Sequence, residues 1–265
     1  MTGYNVRIRE SIGKYRGKEH PVDSVGYKLK GLALAEKLGI NHAKIIGIFN
    51  RIEDINWEVL SNEFVIKPQQ GCALNGVFPL KNNNGIYKNL LKHIYMTREE
   101  IIMDFKKGEK PIGKHSQNLW IEELLSDPLP CNWEFHSFNG EIGVIEQLYK
   151  ALTPEIRNFW TTDWEPLGHI FKEPEEVFKK IKIDIGTLAP KNKDKLLEVA
   201  RILSKAVKYP YVRVDLYDIG DKVFIGELTP HPGTFLSYHF VDWDEYLGNL
   251  WDKAIKELSY EKKSI

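Results

Sequence analysis

Apolar residues along the chain fall into short runs whose spacing switches between helical and extended several times. Leu29, Leu32, Ala33 and Leu38 recur near helical spacing, so Tyr27 to Leu38 is expected to form a helix stopped at Gly39. Ala43 to Phe49 reads as a buried strand, and Glu63 to Lys67 as a second strand ended by Pro68. A loop holding Gly71 and Gly76 leads to a strand from Val77 to Leu80, and Asn82-Asn83-Asn84-Gly85 marks a turn. Ile86 to Tyr95 and Arg98 to Lys107 read as helices, whereas Met1 to Asp23, polar and basic-rich, reads as a loose arm.

Leu119 to Leu125 is expected to be a strand that runs into Ser126-Asp127-Pro128. Trp133 to Phe138 and Glu141 to Leu148 flank Asn139-Gly140, a pair that tolerates positive φ and so predicts a hairpin. Thr153 to Gly168 reads as irregular, and Glu173 to Lys180 and Lys191 to Val207 as helices. A second hairpin is expected from Tyr211 to Tyr217 and Lys222 to Leu228, and Asp242 to Leu258 closes the chain as an amphipathic helix. Two antiparallel hairpins among helices predict an α+β protein rather than a βαβ alternation. Neither GxGxxG nor GxxxxGK[ST] occurs, so a dinucleotide fingerprint or a P-loop has no support.

Charge narrows the picture further. Lys+Arg and Asp+Glu each number 37, and zero net charge argues against broad binding to nucleic acid or an anionic membrane. No apolar run approaches a transmembrane length, and no secretory h-region opens the chain, so a cytoplasmic protein without membrane insertion is expected. The two cysteines, Cys72 and Cys131, lack metal-ligand spacing.

Three segments carry candidate chemistry. In the second hairpin, alternation sends Val212, Val214 and Leu216 to the core and Arg213, Asp215 and Tyr217 to the other face. On the return strand Phe224 and Leu228 are expected on one face, with Glu227 and Thr229 on the opposite one. Asp215 and Glu227 brought together repel unless a hard cation such as Mg²⁺ offsets them, and Arg213 beside them suits a phosphate or oxyanion. The bland alternative is a solvated hairpin face. The second segment is the strand end at Lys67, followed by the glycine loop that lets backbone N–H groups approach an anion. The third is Glu122-Glu123-Leu124-Leu125 with Asp127, where a strand exit offers backbone groups and carboxylates to a base or ribose.

In this order the segments resemble ATP-grasp enzymes, with spacing similar to D-alanine–D-alanine ligases: Lys67-Pro68 to Gly76-Val77, then Glu122 to Leu125, then Arg213-x-Asp215 with Glu227-x-Thr229 and Pro232-Gly233. More of the chain resembles the TupA-like branch, named for teichuronopeptide synthesis, through Lys37-Leu38-Gly39, Glu134 to Gly140, Thr162-Asp163-Trp164 and Val212 to Gly233. The resemblance implies an ATP-grasp fold, two α+β subdomains clamping ATP, with a reduced N-terminal region at 1–60, a lid subdomain at 61–125 and a metal-bearing subdomain at 126–265. It implies that Lys67, and Lys28 or Lys30, contact ATP phosphates, and that Gly71, Cys72 and Gly76 lie in the lid. Glu122, Glu123, Leu124 and Leu125 would bind adenine, and Asp127 the ribose. Asp215, Glu227 and Thr229 would hold Mg²⁺, Arg213 would stabilise an acyl phosphate, and Gly233 and Thr234 would face the acyl acceptor. His231 is a candidate base by location; its bland reading is a turn histidine between two prolines.

The implied activity is ATP-dependent ligation of a small-molecule carboxylate to an amine, in surface-polymer or peptide-type biosynthesis. Two departures stand out. Thr229 replaces the usual metal-binding Asn, and Asn132-Trp133-Glu134 stands where relatives show Asp-Tyr-Lys, an anion for a cation. The alternatives are a glycosyl- or phosphoryl-transferring enzyme, for which Asp242-Trp243-Asp244 is the candidate site, and a nucleotide-binding module without catalysis. The acidic triplet also reads as the cap of the last helix.

Overall fold

Two β-sheets organise the chain, one in each of two units. The computed structural model describes residues 2–15, 28–71, 74–108, 116–149, 155–167, 181–182, 189–232 and 243–261. Among these, the larger unit takes the residues within Met1–Gly26, Lys30–His42 and Cys131–Ile265, and the smaller those within Tyr27–Leu29 and Ala43–Pro130. The segment 1–60 is thus divided between the units rather than standing apart.

In the smaller unit the strands β2 (Ile45–Phe49), β3 (Glu63–Pro68), β4 (Phe78–Asn83), β5 (Ile86–Asn89), β6 (Ile94–Met96) and β7 (Leu119–Glu123) form an antiparallel sheet in the order β2-β7-β3-β4-β5-β6. Period-two alternation sends Phe64 and Ile66 of β3 and Leu119 and Ile121 of β7 into a core shared with Trp57, Phe78 and Phe105. The helix over Arg98–Gly108 closes that core with Ile101 and Phe105. Lys67, Trp120 and Glu122 therefore take the other face of the sheet.

Two expectations fail here. Ile86 to Tyr95 is not helical: Asn84 and Gly85, at φ 52° and 86°, turn the chain back so that β5 pairs with β4 and β6 with β5. Tyr87 and Met96 then face the core while Ile86 and Tyr95 face out, a strand alternation selected by the turn over local helical spacing. The run at Ala43 to Phe49 does form β2, but as an edge strand whose Ile46 and Ile48 are 41% and 58% exposed.

The larger unit carries β1 (Asn41–His42), β8 (Asn132–Phe138), β9 (Glu141–Tyr149), β10 (Glu155–Trp160), β11 (Pro166–Leu167), β12 (Ile181–Lys182), β13 (Val212–Ile219) and β14 (Lys222–Thr229). Their order is β1-β14-β13-β8-β9-β10-β11, with β12 added beside β10. Both expected hairpins are present, β8–β9 and β13–β14, and Asn139 and Gly140 adopt the positive φ that the first turn requires. β10 is a regular strand where irregular chain was expected, because it pairs along β9. The expected helix at Glu173 to Lys180 lies outside the described residues.

The described α-helices are α1 (Tyr4–Tyr15), α2 (Lys28–Lys37), α3 (Arg98–Gly108), α4 (Lys193–Ala206) and α5 (Asp244–Glu261). No described helix is long and apolar enough to cross a membrane. Residues 16–23 of the expected loose arm lie outside the described residues, but its described part from Tyr4 to Tyr15 is the helix α1. Its Tyr4 and Ile8 pack with Phe138, Tyr211 and Trp251, and Asp244 Oδ1 accepts from the Asn5 backbone N–H at 2.7 Å, capping the helix. Composition concealed it because only two of its apolar residues, Tyr4 and Ile8, are buried. Ile8→Ala is expected to destabilise the larger unit by about 2–5 kcal/mol. Urea unfolding checks this; a change within about 0.5 kcal/mol would match an unpacked arm.

Candidate functional site

On the face of the smaller sheet opposite its apolar core, register places Lys67 of β3 opposite Trp120 of β7, with Glu122 two residues further along β7. Lys67 Nζ lies 2.5 Å from Glu122 Oε1, and the Trp120 indole N–H donates to Glu122 Oε2 at 2.8 Å. Glu122 is 4% exposed, so this is a largely dehydrated pair. Both carboxylate oxygens are engaged, and the geometry makes Glu122 the residue that orients Lys67. Glu123 is also engaged: its backbone N–H donates to Lys44 O at 3.0 Å and its Oε1 accepts from Lys44 N–H at 2.9 Å. Strand pairing ends there, leaving Leu124 and Leu125 in the segment that leads to Asp127. Asp127 pairs with Lys81 at 2.9 Å, and Lys81 also reaches Glu63 at 2.8 Å. Gly76 takes φ 73°, a left-handed value that favours glycine. Cys72 lies outside the described residues, and Lys28 opens α2 half-buried.

In the larger unit, register builds a row of acids across four adjacent strands. Glu227 of β14 is directly opposite Asp215 of β13, Asp215 is opposite Glu134 of β8, and Glu134 is opposite Glu146 of β9. Directly opposed residues share a sheet face, about 5 Å apart, where like charges destabilise. Glu134, Asp215 and Glu146 are each no more than 2% exposed. The neighbouring row holds Thr229, Arg213 and His136, again directly opposed.

A bulge makes this alignment possible. Asp215 pairs with Glu227 while Leu216 pairs with Ile225, so Gly226 is an extra residue. A Cβ there would meet the Tyr217 ring at 3.1 Å and the Asp215 carbonyl oxygen at 3.3 Å. The bulge overturns one expectation: Phe224 does not share a face with Leu228. Val223, Ile225 and Leu228 are buried and Phe224 is half-buried, because the extra residue reverses the alternation.

Arg213 is the cation of this acidic row. Its Nε and Nη2 donate to Asp215 Oδ1 and Oδ2, both at 2.7 Å, in a bidentate fork. Nη1 lies 2.9 Å from Glu134 Oε2, and Nη2 lies 3.4 Å from Thr229 Oγ1 and 3.7 Å from Glu227 Oε1. Thr229 Oγ1 donates to Glu227 Oε1 at 3.1 Å, and Asn132 Nδ2 donates to Glu134 Oε1 at 2.6 Å. Beyond them, Arg157 Nε stands 3.0 Å from Glu146 Oε1, with His136 Nε2 3.7 Å from Glu146 Oε2 and His136 Nδ1 2.9 Å from the Tyr211 hydroxyl. Burial pushes Asp215 up to about 7; Arg213 pulls it down, and Glu134 and Glu227 add to the rise.

The chemistry of Asp215, Glu227 and Thr229 fits a hard divalent cation: two carboxylates and a hydroxyl on one face. Among the described residues no group of three or more His, Cys, Asp or Glu side chains is arranged to hold a metal unaided. Magnesium is commonly held by one or two carboxylates plus substrate phosphate, which suits a partial donor set of this kind.

His231 is held by α1, its Nε2 lying 2.9 Å from Ser11 Oγ, which in turn lies 2.7 Å from the Tyr209 hydroxyl. It is thus tied to a helix rather than merely packed between prolines. Gly233, Thr234 and Asp242 lie outside the described residues. Asp244 stands in the first turn of α5, where an acid complements the helix dipole, and its Oδ1 also caps α1 through the Asn5 backbone N–H. Reading single segments missed Glu146, Arg157 and the partnership of Glu134 with Arg213. The alternation of polar and apolar residues along 132–136 was the available signal for Glu134, whereas 144–148, Val-Ile-Glu-Gln-Leu, shows no such alternation.

The family model for TupA-like ATPgrasp proteins matches residues 34–252. Among solved structures, D-alanine–D-alanine ligase from Bacillus anthracis superposes with a TM-score of 0.54 at 15% identity, covering 92% of this chain and 72% of that one. The same ligase complexed with ATP gives 0.51 at 17% identity, covering 93% and 69%. VanG D-Ala:D-Ser ligase from Enterococcus faecalis gives 0.54 at 13%, covering 91% and 64%. At these identities the likeness is one of fold. No curated protein matches the chain in sequence.

The elevated Asp215 pKa sets a pH dependence for the protein without metal. The folded state takes up a proton at a pH where an unfolded Asp, near 3.9, is already ionised. Its stabilising contribution is therefore full below about 4 and lost as pH rises through about 7. In chelator, Tm is expected to fall more steeply between about pH 5.5 and about pH 8 for the wild type than for Asp215→Asn. Coincident slopes would place Asp215 in the ordinary carboxylate range.

Proposed function

Because the chain belongs to the TupA-like ATP-grasp family, we propose that it is an ATP- and Mg²⁺-dependent ligase joining a small-molecule carboxylate to an amine through an acyl phosphate. The observation that carries this reading is the bulged hairpin that sets Asp215 opposite Glu227, with Thr229 and Arg213 on the same face. Those residues pair oxygen donors for a cation with a guanidinium suited to phosphoryl oxygens.

In the proposed reaction the substrate carboxylate attacks the γ-phosphorus, and the bond to the ADP oxygen breaks with its electron pair leaving on ADP. The amine nitrogen then attacks the acyl carbon, the C–O bond to phosphate breaks, inorganic phosphate departs, and the nitrogen loses a proton. Bound Mg²⁺ neutralises phosphate charge at the transferring group. The chain's own residues hold and orient. Asp215, Glu227 and Thr229 hold the cation, and Arg213 faces the phosphoryl and acyl oxygens. Lys67, aimed by Glu122, takes up phosphate charge. The loop from Gly71 to Gly76 covers the phosphates, and the backbone at Leu124 and Leu125 receives the base. His231, steadied by Ser11, is the proposed acceptor of the amine proton.

Positioning and charge neutralisation dominate such phosphoryl chemistry, which is why the reading rests on donors rather than on a nucleophilic side chain. Calorimetric titration of ATP with and without Mg²⁺ tests it. Wild type is expected to bind ATP in a Mg²⁺-dependent way, and Glu227→Gln to weaken that dependence roughly 10–100-fold, the scale seen even for residues that only support metal ligands. ADP release that rises with an added carboxylate would complete the case. Indifference to ATP in both conditions would overturn it. Mg²⁺-dependent binding without carboxylate-dependent turnover would favour the non-catalytic module.

A further inference from the structure

The Arg213 guanidinium sits among the side chains proposed to hold the cation. Its fork takes both oxygens of Asp215 at 2.7 Å, and its Nη2 edge reaches Thr229 and Glu227. It does there what a divalent cation would do, offsetting opposed carboxylates on adjacent strands. A second cation on the Asp215 oxygens meets Arg213 across them, and the two repel. One contact of Arg213 lies apart from this competition: Nη1 to Glu134 Oε2 at 2.9 Å. Glu134 is 1% exposed, and its other oxygen accepts from Asn132 at 2.6 Å, so it is a fixed anchor.

We propose that Glu134 is a positioning residue that retains Arg213 when Asp215 passes to the metal, turning the released edge of the guanidinium toward the phosphoryl and acyl oxygens. This inference rests on the ligase reading above. Without Glu134, Arg213 has Asp215 as its principal partner and contests the cation more strongly.

The test is titration of Mn²⁺ alone into the metal-free protein, by calorimetry, on four chains: wild type, Glu134→Gln, Arg213→Lys and the double variant. Lysine keeps the charge but lacks the fork that spans Asp215 and Glu134 together. Glu134→Gln is expected to weaken Mn²⁺ binding about tenfold, a coupling of the size that double-mutant cycles resolve. In the Arg213→Lys background the same change is expected to shift binding less than twofold. An equal loss in both backgrounds would mean that Glu134 acts only by its charge, and would overturn the hand-over. So would unchanged binding in Glu134→Gln.

Thermal unfolding of each chain shows whether it is folded. If Arg213→Lys does not fold, Glu134→Asp replaces it as the second variant; the shorter acid keeps the charge but cannot reach Nη1, and is expected to behave like Gln. Wild-type protein that takes up no Mn²⁺ would overturn the metal-site reading and this inference with it. Wild-type binding that ignores Glu134 would overturn this inference alone. Turnover adds a separate readout: Glu134→Gln is expected to lower kcat about tenfold with little change in the KM for ATP, because Arg213 is misdirected at the reacting oxygens rather than at nucleotide binding.

Discussion

One arginine among carboxylates on adjacent strands is the constraint around which the larger unit is built. Glu227, Asp215, Glu134 and Glu146 stand directly opposed across four strands, and such a row is unstable without cations between its members. Arg213 joins Asp215 to Glu134 and reaches toward Glu227, while Arg157 answers Glu146. Buried charge of this kind is a poor source of stability but sets strict geometry, because removing one partner strands another in a dry interior. The bulge at Gly226 and the register of β8 on β13 and on β9 place the four acids in line, and the pairing of β10 on β9 sets Arg157 diagonally across from Glu146.

The apolar surroundings are arranged to keep that strip dry. Beyond the charged rows on the same strands, Phe138, Val144 and Phe159 meet Tyr4 and Ile8 of α1 and Trp251 of α5. Tyr211 belongs to both settings: its ring stacks on Trp251 at 5.2 Å while its hydroxyl contacts His136. Helix α1 thus seals one end of the strip and, through Ser11, also fixes His231. A segment that composition marks as an arm is a structural wall with a polar contact to a candidate base.

The smaller unit repeats the logic at lower charge. Lys67 and Glu122 pair on one face of the sheet, and the Trp120 indole N–H supplies a further hydrogen bond to Glu122. The carboxylate is satisfied within the sheet, so Lys67 is presented in a fixed direction instead of sampling solvent. Its ammonium also lies 6.0 Å from the Trp120 ring centroid, within cation–π range.

Much of this was readable from the chain alone, because strand alternation is local. Val212, Val214 and Leu216 against Arg213 and Asp215, the Asn139-Gly140 turn, and the change of face between Ile66 and Lys67 all follow from a period of two. Ordered motifs from Lys37 to Gly233 were enough to indicate the family. What the tertiary structure decided was everything that depends on which strand lies beside which. Register brought Glu134 and Glu146 into line with Asp215, a one-residue bulge separated Phe224 from Leu228, and pairing converted Ile86 to Met96 from an apparent helix into two strands. Packing against α5 made a helix of the basic N-terminal segment. Partners distant along the chain meet only when the sheet forms, and no local pattern carries the energy of that meeting.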